Sequence, residues 1–175
     1  MLETTLTGIG GIMNSLHTAT ELLAKSSEDL DRLFRSSPPG PVPDGDGLGT
    51  VLIATGGGLG RLLARAALAV AWQGKVFDAK SGLLRNKVTP LRVRAIRARA
   101  YPGPSWVDGD ECIVLDYSRT SWVARWIRDE IRLVGPGLYL GVIFVRRHRA
   151  GGFSLSFGTG SADSGPERGS APGTR

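Results

Sequence analysis

The chain of 175 residues has little of what several functional classes need. Its one cysteine, Cys112, excludes a disulfide within the chain and suits a reducing cytoplasm. That thiol has no histidine neighbour in sequence, which argues against a thiolate nucleophile. The two histidines, His17 and His148, lie far apart, so a zinc site is not expected. We therefore expect neither a metal nor a cofactor.

Long apolar runs and a secretion signal are also missing. No stretch reaches the roughly 18 apolar residues that a membrane-spanning helix requires. Glu3 stands where a signal peptide would carry Lys or Arg, and no clean cleavage site follows. Apolar residues make up 41% of the chain, which is enough for a real core. These features predict one cytoplasmic domain.

The net charge of +6 brings nucleic acid or an anionic membrane into consideration as a partner. Basic residues concentrate between Arg85 and Arg99 and again from Arg146 to Arg149. Residues 85–99 contain no aromatic side chain on which a base could stack. The favoured interpretation is therefore a solvated strand face and a charged hairpin tip, and nucleic-acid binding is disfavoured.

Composition divides the chain into four segments. Residues 1–36 are the predicted N-terminal helical arm: the apolar spacing is helical from Ser15 to Ser36, where Ser26 or Ser27 can cap a short helix. Residues 37–49, rich in Pro and Gly, are expected to be a linker. Residues 50–157 form the predicted domain, and residues 158–175 have the composition of a disordered tail.

The central segment predicts a mainly β fold. Strands are expected at 50–55, 74–78, 83–88, 92–101, 111–118, 122–133, 138–147 and 152–157, with one inserted helix at 59–71. Many short strands joined by Gly and Pro turns favour a closed antiparallel barrel, which at eight strands holds side chains or one small ligand. The arginines between 92 and 99 change parity, which predicts a bulge near Ala95 and Ile96.

Residues 50–60, TVLIATGGGLG, look like a dinucleotide-binding turn, with a helix and Asp78 following. However, Arg61 stands where the last glycine should be, and the chain lacks the alternating strands and helices of a parallel sheet. A flexible turn from strand to helix is the favoured interpretation. Nucleotide binding stays the weakest functional alternative.

Several motifs resemble those of a widespread family of small bacterial proteins. They are WQGKVFD from Trp72, LRN from Leu84, SWVDGDECIVLDYS and IRDEIRLVGPGLYLG. The W-x-G-K-x-F element and the acidic strand that follows it are also similar to GXWXG/DUF4334-type proteins. The resemblance covers about 50–157 and implies a calycin-like, lipocalin-like barrel that can hold an apolar molecule. It implies no reaction.

Residues 111–141 hold charges inside apolar strand sequence, and an isolated buried charge is very costly. Some of these charges are therefore expected to face a cavity or to pair with each other. The catalytic candidates, should the protein be an enzyme, are Asp116, Tyr117 and Arg132. The ligand-binding candidates are Trp72, Lys75, Asn86, Trp106, Arg128, Asp129 and Tyr139. The alternatives are that Asp116 pairs with Arg128 or Arg132 as a structural bridge, that Arg132 packs over a tryptophan at the closed end of the barrel, and that the aromatic residues are ordinary core.

The leading functional hypothesis is the binding of an apolar or amphipathic small molecule inside the barrel, with Lys75 or Arg132 at its polar head. The alternative is a cofactor-independent isomerase or cyclase that uses the same cavity. Parity leaves open which face of residues 122–133 points inward, because charges occupy both faces. The sequence does not specify the oligomeric state.

Overall fold

A computed structural model describes residues 18–52, 72–88, 96–120, 122 and 124–158. Two short helices precede eight strands: α1 (Ala19–Ala24), α2 (Ser27–Ser36), β1 (Gly45–Leu52), β2 (Trp72–Asp78), β3 (Leu83–Val88), β4 (Arg97–Pro104), β5 (Glu111–Asp116), β6 (Ile127–Gly135), β7 (Leu138–Val145) and β8 (His148–Phe157). The strands form one closed barrel in chain order. Every neighbouring pair is antiparallel, and β1 closes the sheet by pairing with β8. The expected mainly β, eight-stranded barrel is confirmed.

The N-terminal arm consists of the two helices. Thr18 caps α1 through a capping box with Glu21, since each side chain accepts from the other residue's backbone N–H. Ser26 caps α2, and its hydroxyl accepts from the backbone N–H of Asp29 at 3.1 Å. Leu22 and Phe34 are fully buried on one side of this arm. The helices therefore fold against the barrel rather than away from it.

The barrel interior is a packed apolar core. Its buried members are Phe77, Leu84, Ala98, Ala100, Ile113, Leu115, Tyr117, Ala124, Ile131, Tyr139, Phe153 and Leu155. Three glycines make room for large rings: a Cβ on Gly47, Gly49 or Gly141 would overlap the ring of Phe157, Trp72 or Phe153 respectively. Aromatic side chains thus occupy the space that these glycines leave free.

A second apolar layer lies outside the barrel, under the arm. It comprises Leu22, Phe34, Leu52, Val134, Leu138, Leu140, Val142 and Phe144. Here β7 is buried on both faces, because its odd-numbered residues face the interior and its even-numbered residues face the arm. A groove of about 320 Å³ opens between α2 and strands β1, β7 and β8.

Several strand limits differ from those expected. β1 begins at Gly45, inside the predicted linker, and two of its glycines, Gly47 and Gly49, lie under aromatic rings of other strands. β6 begins at Ile127 rather than at residue 122, since the residues before it form turns. β8 begins at His148 because a two-residue turn, Arg146 and Arg147, joins it directly to β7.

Other expectations lie outside the described residues. These are the helix at 59–71, the glycine turn after Leu52, the bulge at Ala95 and the tail from residue 159 onward. β4 itself runs from Arg97 to Pro104, three residues beyond the predicted end at 101. No helix in the described part of the chain has the length and apolar character needed to cross a bilayer.

Candidate functional site

The polar residues of the interior gather at one end of the barrel. Lys75 on β2 and Asn86 on β3 are directly paired in register. Tyr117 follows the end of β5, and Asp129 lies near the start of β6. In an up-and-down barrel the starts of even strands and the ends of odd strands lie at the same end. We call these four residues, Lys75, Asn86, Tyr117 and Asp129, the Lys75 cluster.

The ammonium group of Lys75 is the centre of the cluster. Its Nζ donates to Asp129 Oδ2 at 2.9 Å, to Asn86 Oδ1 at 2.8 Å and to the Tyr117 hydroxyl at 2.5 Å. The Tyr117 hydroxyl in turn donates to Asp129 Oδ2 at 2.9 Å. Lys75 is 3% exposed and Asp129 is 4% exposed. The cluster is therefore a buried ion pair in which all three ammonium protons have acceptors.

A bulge in β2 brings both Trp72 and Lys75 into the interior. Residues three apart on a regular strand face opposite sides of the sheet, but the register shifts between Trp72 and Gly74. Gly74 has φ of +128°, and a Cβ there would overlap the carbonyl oxygen of Gly47 on β1. Only glycine fits such a position, so Gly74 fixes the bulge and with it the direction of Lys75.

Aromatic rings enclose the ammonium group. Its Nζ lies 5.5 Å from the ring centroid of Trp72 and 5.3 Å from those of Phe153 and Tyr117. Trp72 and Phe153 meet edge to face, with their centroids 5.5 Å apart. Ring faces are electron-rich and attract a cation, most strongly where water is excluded. The positive charge of Lys75 is thus held by one carboxylate and a wall of rings.

The cluster keeps its protons at neutral pH. Burial alone lowers the pKa of Lys75, but the neighbouring Asp129 carboxylate and Tyr117 hydroxyl outweigh this effect, and the pKa is raised. Burial and the charge of Asp129 raise the pKa of Tyr117 to about 12. Lys75 is therefore a charged hydrogen-bond donor rather than an amine nucleophile, and Tyr117 is a neutral phenol.

This arrangement can orient and polarise a ligand oxygen. A ligand carbonyl or hydroxyl oxygen can accept from the ammonium group by replacing one of its present acceptors, such as Asn86 Oδ1, or from the phenol by replacing Asp129 Oδ2. Asp129 is the carboxylate within reach of a proton that such a ligand would release. No group of three or more metal-ligating side chains occurs within the described ranges.

Five of the predicted site residues come together here, namely Trp72, Lys75, Asn86, Tyr117 and Asp129. Tyr139 also faces the interior but lies at the other end, where its hydroxyl donates to the Pro41 carbonyl at 2.8 Å and its ring meets Phe157. The inward face of β6, which parity left open, carries Asp129, Ile131 and Leu133.

Four other predicted site residues, Asp116, Trp106, Arg128 and Arg132, lie on the outer side of the barrel rather than in its interior. Asp116 is half-buried on the outer face of β5 and accepts from the Ser118 backbone N–H at 2.8 Å. Arg128 stacks on Trp106, with its guanidinium carbon 4.5 Å from the ring centroid. Because side chains alternate along a strand, Asp116 and Arg128 point outward where their neighbours Tyr117 and Asp129 point inward.

Arg132 has a structural role on that outer face. Its guanidinium group donates to both carboxylate oxygens of Asp108, at 2.8 and 2.7 Å, and to the carbonyl oxygens of Phe34 and Arg35 at the end of α2. It also lies over the Phe34 ring, with 4.7 Å between the guanidinium carbon and the centroid. These contacts fasten the arm to β6. The cation–π contact of Arg132 is thus with Phe34 of the arm, and not with a tryptophan as the sequence-based alternative had it.

Glu130 completes the outer network. This fully buried carboxylate accepts from Arg128 Nε at 2.8 Å, from the Ser105 hydroxyl at 2.6 Å and from the Trp106 backbone N–H. The loop between β4 and β5 is thereby drawn over β6. Both faces of β6 are covered, which explains why charges occur at both parities of this strand.

Sequence reasoning did not identify Phe153 or Gly141 as parts of the site. Phe153 forms one wall around Lys75, and Gly141 on the paired strand β7 leaves room for its ring. The signal available was the Gly-Gly pair before Phe153, Gly151 and Gly152, because glycine inside a strand often marks the close approach of another group. Neither position carries a polar atom that would draw attention in the sequence.

Comparisons with known proteins place the fold but not the activity. No protein-family model matches the chain, and no curated protein does. The chain is similar to the crystal structure of a protein from Thermomonospora curvata, with a TM-score of 0.57 and 17% sequence identity. The alignment covers 78% of this chain and 93% of that one. At this identity the likeness supports a shared fold alone.

Proposed function

We propose that the protein binds an uncharged amphipathic small molecule at the polar end of the barrel interior. The apolar part of the ligand would lie against Trp72 and Phe153, and a carbonyl or hydroxyl head would meet the Lys75 cluster. One observation carries the proposal: a charged, hydrogen-bonded cluster is buried among aromatic rings inside a closed barrel. A mostly apolar site with a few convergent polar groups is the usual form of a small-molecule site.

Stability alone does not account for the cluster. Removing two charges from water carries a desolvation penalty that mutual attraction often fails to offset. In other proteins, replacing a buried ion pair by well-packed apolar residues is often neutral or stabilising. A buried polar cluster that stability does not require supports a role in recognition.

The charge balance of the cluster favours an uncharged head. One ammonium group and one carboxylate already neutralise each other at 2.9 Å. A ligand carboxylate would add a second negative charge to a buried site, which is very costly. A ketone, aldehyde, ester or alcohol oxygen adds no charge. It would accept from Lys75 in the place of Asn86 Oδ1, or from Tyr117 in the place of Asp129 Oδ2.

Binding requires the aromatic rings to move. The ring of Trp72 lies over Gly49 and that of Phe153 over Gly141, so these rings fill the space a ligand would need. Turning them aside would leave the glycines as the floor of a cavity. Because Trp72 would then change its surroundings, ligand binding should alter the tryptophan fluorescence, and Trp72→Phe should remove most of that change.

The test uses ligands that share one long alkyl chain and differ only in the head: a methyl ketone, the alkane and the carboxylate. Affinity for the wild-type protein should fall in the order ketone, alkane, carboxylate. The variant Lys75→Met/Asp129→Asn keeps the site neutral and replaces the ion pair. It should reduce the advantage of the ketone over the alkane by about tenfold, the value of one or two hydrogen bonds, and leave the alkane unchanged.

The exposed pair of Lys87 and Asp46 provides a matched control. The variant Lys87→Met/Asp46→Asn makes the same chemical change on the barrel surface and should leave all three affinities unchanged. If none of the three ligands binds the folded wild-type protein, ligand binding is refuted. If the carboxylate binds best, the argument from charge balance is wrong.

A second candidate function is a cofactor-independent isomerase or cyclase at the same place. The observation that favours it is the contact between the Tyr117 phenol, which stays protonated, and the Asp129 carboxylate. A hydrogen bond from Tyr117 to a substrate carbonyl oxygen would make the proton on the neighbouring α-carbon more acidic, and Asp129 would accept that proton. Asp129 thus takes the role that the sequence suggested for Asp116. Asp129→Asn should then abolish turnover while ligand binding persists.

A further inference from the structure

Tryptophan and arginine side chains share one surface near the end of the barrel where β5 is joined to β6 and β7 to β8. The members of this Trp–Arg patch are Trp106, Trp122, Trp126, Arg125, Arg146 and Arg147. Trp122, Arg125 and Trp126 belong to the β5–β6 connection, and Arg146 and Arg147 form the β7–β8 turn. The backbone N–H of Arg146 donates to the Trp126 carbonyl at 2.9 Å, which ties the two connections together.

Guanidinium groups cover the rings of two of these tryptophans. The guanidinium carbons of Arg125 and Arg146 lie 4.2 and 4.9 Å from the ring centroid of Trp126. Those of Arg128 and Arg147 lie 4.5 and 4.9 Å from the centroid of Trp106. Stacking of this kind orders long side chains that would otherwise be free at the surface.

The rings nevertheless stay in contact with solvent. Trp122 is 85% exposed, and Trp106 and Trp126 are each more than a third exposed. Three exposed tryptophans on one small surface are unusual, since large apolar side chains gathered at a surface usually mark an interaction site. The indole ring suits a boundary between water and an apolar phase, because it combines an apolar body with one N–H donor.

The turn that carries two of the arginines is conformationally strained. Arg146 and Arg147 have φ of +49° and +70°, and they are the non-glycine residues with positive φ in the described part of the chain. A two-residue hairpin turn with positive φ at both positions strongly prefers Asn-Gly. Arginine at both positions is therefore unfavourable for the turn itself, and such strain points to a function for the side chains.

The patch carries uncompensated positive charge. Within the described ranges, no carboxylate forms an ion pair with Arg125, Arg146 or Arg147. The whole chain has a net charge of +6. The partner that this surface complements is therefore anionic and offers an apolar layer for the tryptophan rings.

We propose that the Trp–Arg patch docks the protein on an anionic lipid surface. Guanidinium groups bind phosphates well, and the indole rings would lie at the level of the lipid headgroups. Single-stranded nucleic acid fits less well, because bases stack on open aromatic faces and arginines cover those of Trp106 and Trp126. This inference is independent of ligand binding inside the barrel.

The test is sedimentation with vesicles of phosphatidylcholine, with and without an equal part of phosphatidylglycerol. The wild-type protein should bind the anionic vesicles, bind the neutral ones far more weakly, and lose affinity as salt is added. The variant Arg146→Asn/Arg147→Gly installs the preferred turn residues, so it should remain folded. Each basic residue near such a surface contributes about fivefold in affinity, so the double variant should bind about 30-fold more weakly.

Lys80→Gln/Arg85→Gln serves as the matched control, because it removes the same net charge from exposed residues elsewhere on the barrel. It should bind at least five times more tightly than the turn variant. Equal losses in the two variants, or no binding of wild-type protein to anionic vesicles, would overturn the proposal. Stronger binding to a single-stranded oligonucleotide, lost in the turn variant, would also overturn it in favour of nucleic acid.

Discussion

Replacing Lys75 by methionine tests whether the interior cluster is a true buried ion pair. Methionine has a similar length and leaves the apolar packing nearly intact. It removes the partner of Asp129, whose side chain is 5% exposed. Removing one member of a buried pair costs about 3–5 kcal/mol, because the remaining charge is left uncompensated. That is a large part of the total stability of a domain of this size.

The double variant should recover most of the loss. With Asp129→Asn added, no charge remains in the cluster, and the new amide can still accept from the Tyr117 hydroxyl. We expect Lys75→Met/Asp129→Asn to lie within about 1–2 kcal/mol of the wild-type protein. The coupling energy between the two positions should then exceed about 2 kcal/mol, since residues in one network are not additive.

Urea unfolding at pH 7, followed by tryptophan fluorescence, measures these free energies of unfolding. Lys87→Met is the comparison, because its ion pair with Asp46 is exposed and should contribute less than about 1 kcal/mol. If Lys75→Met lowers the free energy of unfolding by no more than Lys87→Met does, Lys75 is not a buried, paired charge as described. If the single losses simply add in the double variant, the pair is not coupled.

Three further predictions concern packing, pH and the strained turn. Gly141→Ala should lower the free energy of unfolding in urea by about 2–3 kcal/mol, because the new methyl group would overlap an interior ring. Gly151→Ala is the control: its methyl group meets open space, so the free energy of unfolding should fall by less than about 1 kcal/mol. Because folding raises the pKa of Tyr117 to about 12, the stability linked to this phenol is present below pH 10 and lost between about pH 10 and 12. Tyr117→Phe should therefore show a shallower loss of stability over that range in pH-dependent thermal unfolding, and an equal slope would contradict the assignment. Arg146→Asn/Arg147→Gly should relieve the strain of the turn but lose the stacking of the arginines on tryptophan, so the free energy of unfolding should rise by up to about 2 kcal/mol. A clear fall in melting temperature would refute the strain argument.

The sequence was sufficient for the barrel because its strong signals are local. The Pro-Gly turn between β6 and β7 and the alternation along β5 define neighbouring antiparallel strands wherever they occur. Ser26 marked the start of α2 for the same reason, since a helix cap depends on residues three positions apart. Such features need no knowledge of distant parts of the chain.

Features that depend on distant strands could not be predicted. Gly47 and Gly49 belong to a linker by composition, and only the rings of Phe157 and Trp72 show why a strand has glycine there. The parity of β6 could not be assigned, because the arm and a loop cover its outer face and Asp129 meets Lys75 on its inner face. Lys75, identified as a ligand contact, has its partners on β3, on β6 and at the residue that follows β5.

Closure of the sheet by β1 and β8 has a consequence for folding kinetics. Gly47 pairs with Phe157, about a hundred residues later in the chain. The remaining strand pairs join consecutive strands, so β5 to β8 can assemble as a meander before the ring is sealed. Bringing such distant segments together has a high entropic cost, and we expect this seam to form last. Its amide hydrogens should then exchange with solvent sooner than those of β6 and β7, through openings that leave most of the meander intact.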